Sequence, residues 1–396
     1  MYEPSGRQFP FVAFLWPAMA AASASEFAAT LAKQFVDLAV GPGEDGDPGV
    51  PPWTTANRVA LRIKTASLRD FSTAADGMPT LLVTPFALHG STIVDIAPGY
   101  SLIAALRDAG LTRLFATNWH SATPDMRFLG IDNYLADLNV LVDEMGGRVN
   151  LVGLCQGGWM ALLFAARFPG KVAKLVLAGA PIDVTAGDSG LSALAASSPL
   201  EVFHELVSIG DGRVLGRAML QFWGSGSVET AEIGELLQVP DPVGSPAYAQ
   251  IERTFRRWYA WTVDLPGQFY LEVIEKLYKQ NELSSGRFIA LGQRVDLKKV
   301  QMPIFLLAAR DDEVVAPAQL FAAKRLVGTT ADNIETDTVD CRHIGLFMGR
   351  AALHGPWPKI ARWITATDAI APPLDGIDAG NTDTSGAGRA PARAPL

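Results

Sequence analysis

The chain has 396 residues, enough for one large α/β domain with insertions. Of these residues 49% are apolar and 19% are charged, which is ordinary for a globular enzyme. The net charge of −8 argues against nucleic-acid binding and against a basic surface for anionic lipids. Two cysteines cannot form a disulfide framework, and no Cys/His cluster has the spacing of a metal site. Because phosphate-binding glycine loops are also missing, we expect neither a metal nor a cofactor.

The first 78 residues are predicted to hold helical segments and a linker. The apolar stretch Phe9–Ala22 is too short and too interrupted by proline for a membrane span, and a single preceding arginine is a poor start for a signal peptide. We interpret it as a packing helix or a surface-docking segment. An amphipathic helix is predicted over Ala24–Leu38 and a linker over Gly41–Pro52. The pattern of Arg58–Phe71 fits either strands or the lead-in to a helical hairpin.

From Pro79 onward, predicted strands and helices alternate, and the catalytic domain is expected to span residues 79–364. This alternation predicts a mostly parallel sheet with helices on both faces and right-handed connections. The predicted strands are Thr80–Thr84, Leu114–Trp119, Val149–Val152, Lys174–Ala178 and Pro303–Ala309. The predicted helices are Ser101–Ala109, Asp132–Met145, Trp159–Phe168, Ala318–Leu326 and Trp357–Ile364. The tail, residues 365–396, has a composition that predicts disorder.

A small-x-nucleophile-x-small pattern, Gly153-Leu-Cys-Gln-Gly157, joins the strand Val149–Val152 to the following helix. It matches the nucleophile elbow of the α/β-hydrolase fold, with cysteine where serine usually stands. A Cβ two residues before or after the nucleophile would clash in so tight a turn, and the nucleophile itself is forced into a strained conformation. Cys155 would stand at a helix N-terminus, whose dipole favours a thiolate. The glycines, strand and helix together favour this interpretation over a buried structural cysteine.

Two later loops offer the partners that a cysteine nucleophile needs. Asp312 follows a predicted strand and lies two residues before Val314-Val315, the usual place for the acid of such a triad. Asp311 is a competing candidate that the sequence leaves open. His343 is the candidate base, because a histidine takes the proton of the thiol while a carboxylate fixes its tautomer. The chain order of nucleophile, acid and histidine is that of α/β-hydrolases.

Two backbone amides are expected to form the oxyanion hole. One belongs to Gln156, directly after the nucleophile, and the other to Ala87 in the loop after the first predicted strand. We interpret the side chain of His89 in that loop as a residue that makes a local hydrogen bond. The alternation of strands and helices is interrupted from about residue 189 to 283, where clustered aromatic residues predict a helical cap. Most of these aromatics are expected to form the core of the cap, and a few to line an apolar channel to Cys155.

Longer stretches around these residues resemble the polyhydroxyalkanoate synthases, in particular the class III catalytic subunits. The box Gly153-Leu-Cys-Gln-Gly-Gly158 matches the Gly-x-Cys-Gln-Gly-Gly of that family. Further similar stretches are Asp95-Ile96, Ser101-Leu102, Asn118-Trp119, Asp132-Asn-Tyr134, Phe168–Val176, Pro181–Asp183, Gly292–Leu297, Met302-Pro303 and His343–Gly345. The resemblance covers residues 79–364 and implies catalytic roles for Cys155, Asp312 and His343. It implies polymerisation of 3-hydroxyacyl-CoA through a Cys155 thioester, with release of coenzyme A.

The cap and the segment Ala87–Gly90 depart from the synthases. Phe269–Glu275 and His343–Arg350 are at least as similar to intracellular polyhydroxybutyrate depolymerases, which are cysteine enzymes of the same superfamily with a Cys-Gln-Pro box. The alternative function is therefore a depolymerase or oligoester hydrolase with water as acceptor. Length and cap disfavour a small-substrate thiol hydrolase, and the intact triad disfavours a non-catalytic granule-binding protein. Because Cys155 must stay reduced to react, we expect a cytoplasmic location. The resemblance implies that the protein associates with the surface of polymer granules. A homo-oligomer or a partner subunit is left open.

Overall fold

The computed structural model describes residues 49–223 and 228–366, and an eight-stranded sheet forms its centre. Numbered in chain order, the strands are β1 (Arg58–Arg62), β2 (Ala66–Asp70), β3 (Thr80–Val83), β4 (Leu114–Trp119), β5 (Val149–Leu154), β6 (Val172–Ala178), β7 (Ile304–Ala309) and β8 (Ile334–Val339). They lie in the order β1-β2-β4-β3-β5-β6-β7-β8. The pairs β1–β2 and β2–β4 are antiparallel, and the remaining pairs are parallel. This is the strand order of the α/β-hydrolase fold, so the predicted fold class is confirmed.

Helices connect these strands and form the cap. They are α1 (Leu102–Asp108), α2 (Ile131–Glu144), α3 (Gln156–Arg167), α4 (Gly190–Ser197), α5 (Leu200–Ile209), α6 (Gly216–Trp223), α7 (Thr230–Leu237), α8 (Pro246–Ala260), α9 (Gly267–Glu272), α10 (Pro317–Phe321), α11 (Ala323–Leu326), α12 (Gly345–Met348), α13 (Arg350–His354) and α14 (Pro356–Thr365). A π-helix, Val273–Lys279, continues directly from α9. The strands and helices predicted after Pro79 are all present with small shifts at their ends, and the helix predicted over Ala318–Leu326 is divided into α10 and α11.

Shorter elements complete the described chain. The 3-10 helices are Ser91–Val94, Pro124–Met126, Pro169–Lys171, Leu297–Lys299 and Ala331–Asn333. Three short antiparallel strand pairs join Asp95–Ala97 to Tyr100–Ser101, Arg213–Val214 to Leu265–Pro266, and Ile289–Ala290 to Gln293–Arg294. None of the helices in the described ranges combines the length and the apolar character that a membrane crossing requires.

Apolar side chains cover both faces of the sheet, as expected for strands enclosed by helices. Successive residues of β3 show this, because Leu81 packs in a cluster with α2 and α3 whereas Leu82 packs in a second cluster with α1 and α14. The inner strands are therefore buried on both sides and continuously apolar. This continuous apolar pattern allowed the inner strands to be predicted from the sequence.

The central sheet begins before Pro79, the residue predicted to open the catalytic domain. β1 and β2 pair with each other, and β2 pairs with β4, so this part of the chain completes one edge of the sheet. The predicted start of the catalytic domain at Pro79 is therefore corrected. The segment Arg58–Phe71, for which the sequence allowed either strands or the lead-in to a helical hairpin, contains the strands β1 and β2. The reason is that β1 is a largely exposed edge strand, RVALR, without the apolar run of a buried strand.

Several predicted segments lie outside the described residues. They are the apolar stretch Phe9–Ala22, the helix Ala24–Leu38, most of the linker Gly41–Pro52 and the tail after Ala366. The insertion between β6 and β7 carries helices α4 to α9, the π-helix and two of the short strand pairs. Its helical part therefore falls in the region where the sequence predicts a cap.

Candidate active site

Cys155 lies in the tight turn between β5 and α3. Its φ of 48° and ψ of −118° are values that residues other than glycine rarely adopt. The Cys155 amide donates a 2.9 Å hydrogen bond to the carbonyl oxygen of Ala178 at the end of β6, which holds the turn against the sheet. The thiol side chain is only 8% exposed. The structure thus places this cysteine at the carboxyl ends of the central strands, where ligands bind in open α/β sheets.

The two glycines of the elbow are required by close contacts. A Cβ on Gly153 would lie 2.6 Å from the Cα of Gly158, and one on Gly157 would lie 2.1 Å from the carbonyl oxygen of Val83. Both distances are too short for any side chain, so the packing explains the pattern that the sequence shows around Cys155.

The contact between Gly157 and Val83 places the loop after β3, which is predicted to carry one oxyanion donor, next to the elbow. Because Gly157 approaches the end of β3, the loop that leaves β3 and contains Ala87 starts beside the nucleophile. Gln156 is the first residue of α3, and the first amides of a helix have no acceptor in a preceding turn. The amides of Ala87 and Gln156 therefore remain our predicted oxyanion donors.

His343 and Asp312 contact each other beside Cys155. The Nδ1 atom of His343 lies 2.9 Å from Oδ1 and 2.8 Å from Oδ2 of Asp312. The charge of Cys155 acts on His343, which places the thiol near the imidazole ring. Because Asp312 occupies Nδ1, Nε2 is the ring nitrogen left to interact with the thiol. The arrangement is that of a base held in one tautomer by a buried carboxylate.

The charge environment favours a protonated His343. Burial lowers the pKa of His343, but the negative charges of Asp312 and of the Cys155 thiolate, with their hydrogen bonds, raise it well above its ordinary range. An imidazolium next to sulfur stabilises the thiolate, which is the nucleophilic form of cysteine.

Only one of the two candidate acids contacts the histidine. Asp312 is buried, and its Oδ1 also accepts hydrogen bonds from the amides of Val314 at 3.0 Å and Val315 at 2.7 Å. Asp311 is exposed, and its amide donates to the carbonyl oxygen of Cys341. The sequence Asp312-x-Val-Val, from which this acid was predicted, therefore forms the turn that orients the carboxylate.

Other histidines lie in ordinary structural positions. His120 hydrogen bonds to Ser67 at 2.8 Å and to the carbonyl oxygen of Lys64 at 3.0 Å. His204 and His354 are exposed on helices of the cap and of the C-terminal region. Within the described ranges, no three His, Cys, Asp or Glu side chains are grouped as metal ligands.

Gly179 shapes the site in a way that the sequence did not reveal. It follows β6 with a φ of +54°, and a Cβ at this position would lie 3.2 Å from Cε1 of His343. A larger residue would press on the imidazole ring, so the left-handed backbone and the missing side chain leave space for the base.

His89 is enclosed by the cap. The centre of its ring lies 4.5 Å from that of Trp258 and 4.8 Å from that of Tyr259. Burial lowers the pKa of His89 to about 4, so the ring is neutral at physiological pH. Nδ1 of His89 has no hydrogen-bond partner among the described residues, so the local hydrogen bond expected for this side chain stays a prediction. The amide of Val263 donates a 3.0 Å bond to the carbonyl oxygen of Leu88 and so joins the loop after β3 to the chain that follows α8.

Tyr278 contacts the elbow from the π-helix, a role that the sequence did not indicate. Its hydroxyl accepts a 2.8 Å hydrogen bond from Nε2 of Gln156, the residue after the nucleophile. Burial raises the pKa of Tyr278, and the negative charge of Cys155 raises it further. The sequence placed this tyrosine among the cap aromatics, and a contact over 122 positions leaves no local pattern by which to find it.

The chain is similar in sequence to several known proteins. A family model described as a protein of unknown function (DUF3141) matches residues 55–339. A curated relative named poly(3-hydroxyalkanoate) polymerase subunit PhaC, from Synechocystis sp., is 29% identical over 73% of this chain and 78% of its own length. The protein of the same name from Allochromatium vinosum is 27% identical over 74% of this chain and 82% of its own length.

Solved structures similar to the chain include a monoacylglycerol lipase from Paleococcus ferrophilus, with 14% identity and a TM-score of 0.49 over 76% of this chain and 98% of that one. An epoxide hydrolase from Bacillus megaterium has 13% identity and a TM-score of 0.47, again over 76% of this chain and 98% of that one.

Proposed function

The chain belongs to the family described as a protein of unknown function (DUF3141), and we propose that it is a cysteine-dependent acyltransferase that polymerises 3-hydroxyacyl groups from coenzyme A thioesters. The observation that supports this most is the buried contact between Asp312 and His343, with Cys155 close enough for its charge to act on the same ring. The relatives reported above are named polymerases, and the box around Cys155 resembles theirs. The proposed location is the cytoplasm, at the surface of polymer granules.

The first half of the reaction loads the enzyme. The thiolate of Cys155 attacks the thioester carbonyl of the hydroxyacyl-CoA, and the resulting oxyanion is stabilised by the amides of Gln156 and Ala87. The carbon–sulfur bond to coenzyme A then breaks. The leaving thiolate receives the proton that His343 took from Cys155, so free coenzyme A departs and a hydroxyacyl thioester remains on the enzyme.

The second half transfers the acyl group. His343 removes the proton from the terminal hydroxyl of an acceptor chain, whose oxygen attacks the thioester on Cys155. An ester bond forms, the bond to sulfur breaks, and the proton returns to the thiol through His343. Asp312 keeps the imidazole in the required orientation throughout both halves.

Hydrolysis is the second candidate function, because the same thioester can pass its acyl group to water. The stretches Phe269–Glu275 and His343–Arg350 favour it, since they resemble intracellular polyhydroxybutyrate depolymerases. The two candidates use the same residues and differ only in the acceptor, so they are separated by product and not by site.

The test is to incubate the purified protein with 3-hydroxybutyryl-CoA and, separately, with amorphous poly(3-hydroxybutyrate). We expect release of coenzyme A together with polymer from the first substrate, and little free hydroxy acid from the second. Free hydroxy acid from both would assign the hydrolase instead. Cys155→Ala should abolish either activity, whereas Cys341→Ala, the matched control at the other cysteine, should retain it.

A further inference from the structure

The side chains next to the nucleophile form a hydrogen-bond chain whose direction is fixed. Nε1 of Trp159 lies 2.5 Å from Oε1 of Gln156, and Nε2 of Gln156 lies 2.8 Å from the hydroxyl oxygen of Tyr278. An indole nitrogen can only donate, so Oε1 of Gln156 must be the acceptor. The amide group of Gln156 must then face Tyr278 and donate to it.

This direction leaves the hydroxyl proton of Tyr278 available as a donor. Its oxygen already accepts from Gln156, and in the described part of the chain it makes no second hydrogen bond with a protein group. The side chain is 6% exposed, so bulk water does not offer an easy partner. A buried hydroxyl group without an acceptor is unfavourable, so a substrate oxygen that accepts its proton would form a stabilising hydrogen bond.

The position of the hydroxyl points to the reacting acyl group. Gln156 carries one predicted oxyanion amide on its backbone, and its side chain is bonded to Tyr278. The π-helix Val273–Lys279, an uncommon conformation found frequently at functional sites, carries this tyrosine from the cap to the elbow. We propose that the Tyr278 hydroxyl is a third hydrogen-bond donor to the acyl oxygen of the substrate on Cys155, supplied by the cap and oriented by Trp159 and Gln156. This inference rests on the proposed function of Cys155.

The chemistry of the phenol agrees with this role. Burial raises the pKa of Tyr278, so the hydroxyl keeps its proton across the neutral range and can donate at every pH at which the thiolate reacts. Donors held in a water-excluded site stabilise a developing oxyanion far more than donors in water. A donor on the cap would also couple closure of the cap over the substrate to the first chemical step.

The experiment is Tyr278→Phe, which removes the hydroxyl and keeps the ring. Acylation is followed with p-nitrophenyl acetate and with 3-hydroxybutyryl-CoA, and alkylation of Cys155 by iodoacetamide is followed in parallel. Alkylation forms no oxyanion. We expect kcat and the acylation rate to fall by about 100-fold, the cost of removing one oxyanion donor, with KM and the alkylation rate unchanged.

A second variant distinguishes a loss of catalysis from a folding defect. In Tyr278→Phe the amide of Gln156 loses its acceptor, and Gln156→Met alone would leave Nε1 of Trp159 without one. The triple variant Trp159→Phe, Gln156→Met and Tyr278→Phe removes all three groups and leaves no orphan donor. It should fold stably and show the same acylation defect as Tyr278→Phe, because the side chains of Trp159 and Gln156 act through Tyr278. Tyr134→Phe removes another buried hydroxyl, one that has no hydrogen-bond partner among the described residues, and should leave both rates unchanged.

Three results would overturn the inference. Acylation within about threefold of the wild-type rate would show that the hydroxyl is not a donor in the reaction. An alkylation rate that falls as far as acylation would assign Tyr278 to the thiolate or to folding. A wild-type protein that is acylated by neither substrate would overturn the proposed function, and this inference with it, whereas an active wild type matched by Tyr278→Phe overturns the inference alone.

Discussion

Glu232 of the cap helix α7 forms an ion pair with Arg342, the residue before His343, at a distance of 2.6 Å between Oε1 and Nη1. Arg342 also pairs with Glu313 at 3.1 Å, and Glu313 accepts a 3.2 Å hydrogen bond from the backbone amide of His343. Charged groups therefore connect the cap to the histidine loop. One helix of the predicted cap therefore helps to hold the loop of the predicted base.

The first prediction concerns this connection. Glu232→Gln should lower kcat several-fold, since the loop of His343 loses one of its supports. The free energy of unfolding should change by less than ~1 kcal/mol, because Arg342 is 36% exposed and solvent screens the pair. The matched control is Asp337→Asn, which removes the Lys359–Asp337 pair on the surface. Equal kcat values in the two variants would show that the cap does not support the base.

A second prediction separates the two candidate acids. Asp312→Asn should reduce kcat by up to ~10⁴-fold, because the amide cannot hold His343 in the required tautomer. Asp311→Asn should have a small effect, since Asp311 is exposed and makes no contact with the imidazole. Steady-state kinetics of both variants provide the measurement. A large loss at Asp311 and a small one at Asp312 would move the acid by one position.

A third prediction follows from the raised pKa of His343. A histidine whose pKa is raised stays protonated as the pH increases through neutrality, so it continues to stabilise the Cys155 thiolate. His343→Ala should therefore slow the alkylation of Cys155 by iodoacetamide at pH 7, because the sulfur loses its neighbouring cation. His120→Ala, a change at a histidine outside the site, should leave the rate unchanged. Equal rates in the wild type and in His343→Ala would contradict a role of His343 beside the thiol.

The other cysteine provides an internal control for the same experiment. Burial and the carboxylates of Asp312 and Glu313 raise the pKa of Cys341 to about 12, so almost no thiolate is present there near neutral pH. Peptide mapping should find the label on Cys155 long before Cys341. Faster labelling of Cys341 would count against Cys155 as the nucleophile.

A fourth prediction concerns acid stability. Burial raises the pKa of Asp183, but hydrogen bonds from Thr185, Asn281 and Ser284 outweigh this and lower it overall. A carboxylate with a lowered pKa stabilises the fold above its unfolded-state pKa, about 3.9, and this contribution is lost as the pH falls through the folded-state pKa. Asp183→Asn should therefore lower Tm clearly at pH 7 and progressively less below about pH 3.9. A Tm difference that does not vary with pH would contradict this assignment.

Much of the fold could be predicted because buried parallel strands are continuously apolar. β3, β5 and β7 show this pattern, and the glycines around Cys155 revealed the elbow. β8 has the sequence IETDTV and is exposed along most of its length, so it lacks the apolar run that identified its neighbours. The strands at both edges of the sheet were therefore the difficult ones.

The residues of the candidate site also differ in how well the local sequence predicts them. Cys155, Asp312 and His343 lie in loops whose order along the chain is typical of the fold, so local sequence predicts them. Tyr278, Glu232 and Gly179 reach the site only through tertiary packing. A contact between Gln156 and Tyr278, which are 122 positions apart, depends on how the cap sits on the sheet, and no local pattern encodes it.

The central claim is that Cys155 carries the acyl group, and trapping the acyl-enzyme tests it most directly. The protein is mixed with 3-hydroxybutyryl-CoA, quenched in acid, digested and analysed by mass spectrometry. We predict one hydroxybutyryl group on the peptide that contains Cys155, removable by hydroxylamine as expected of a thioester, and none in Cys155→Ala. Release of coenzyme A with the acyl group on another residue, or release that persists in Cys155→Ala, would contradict the account.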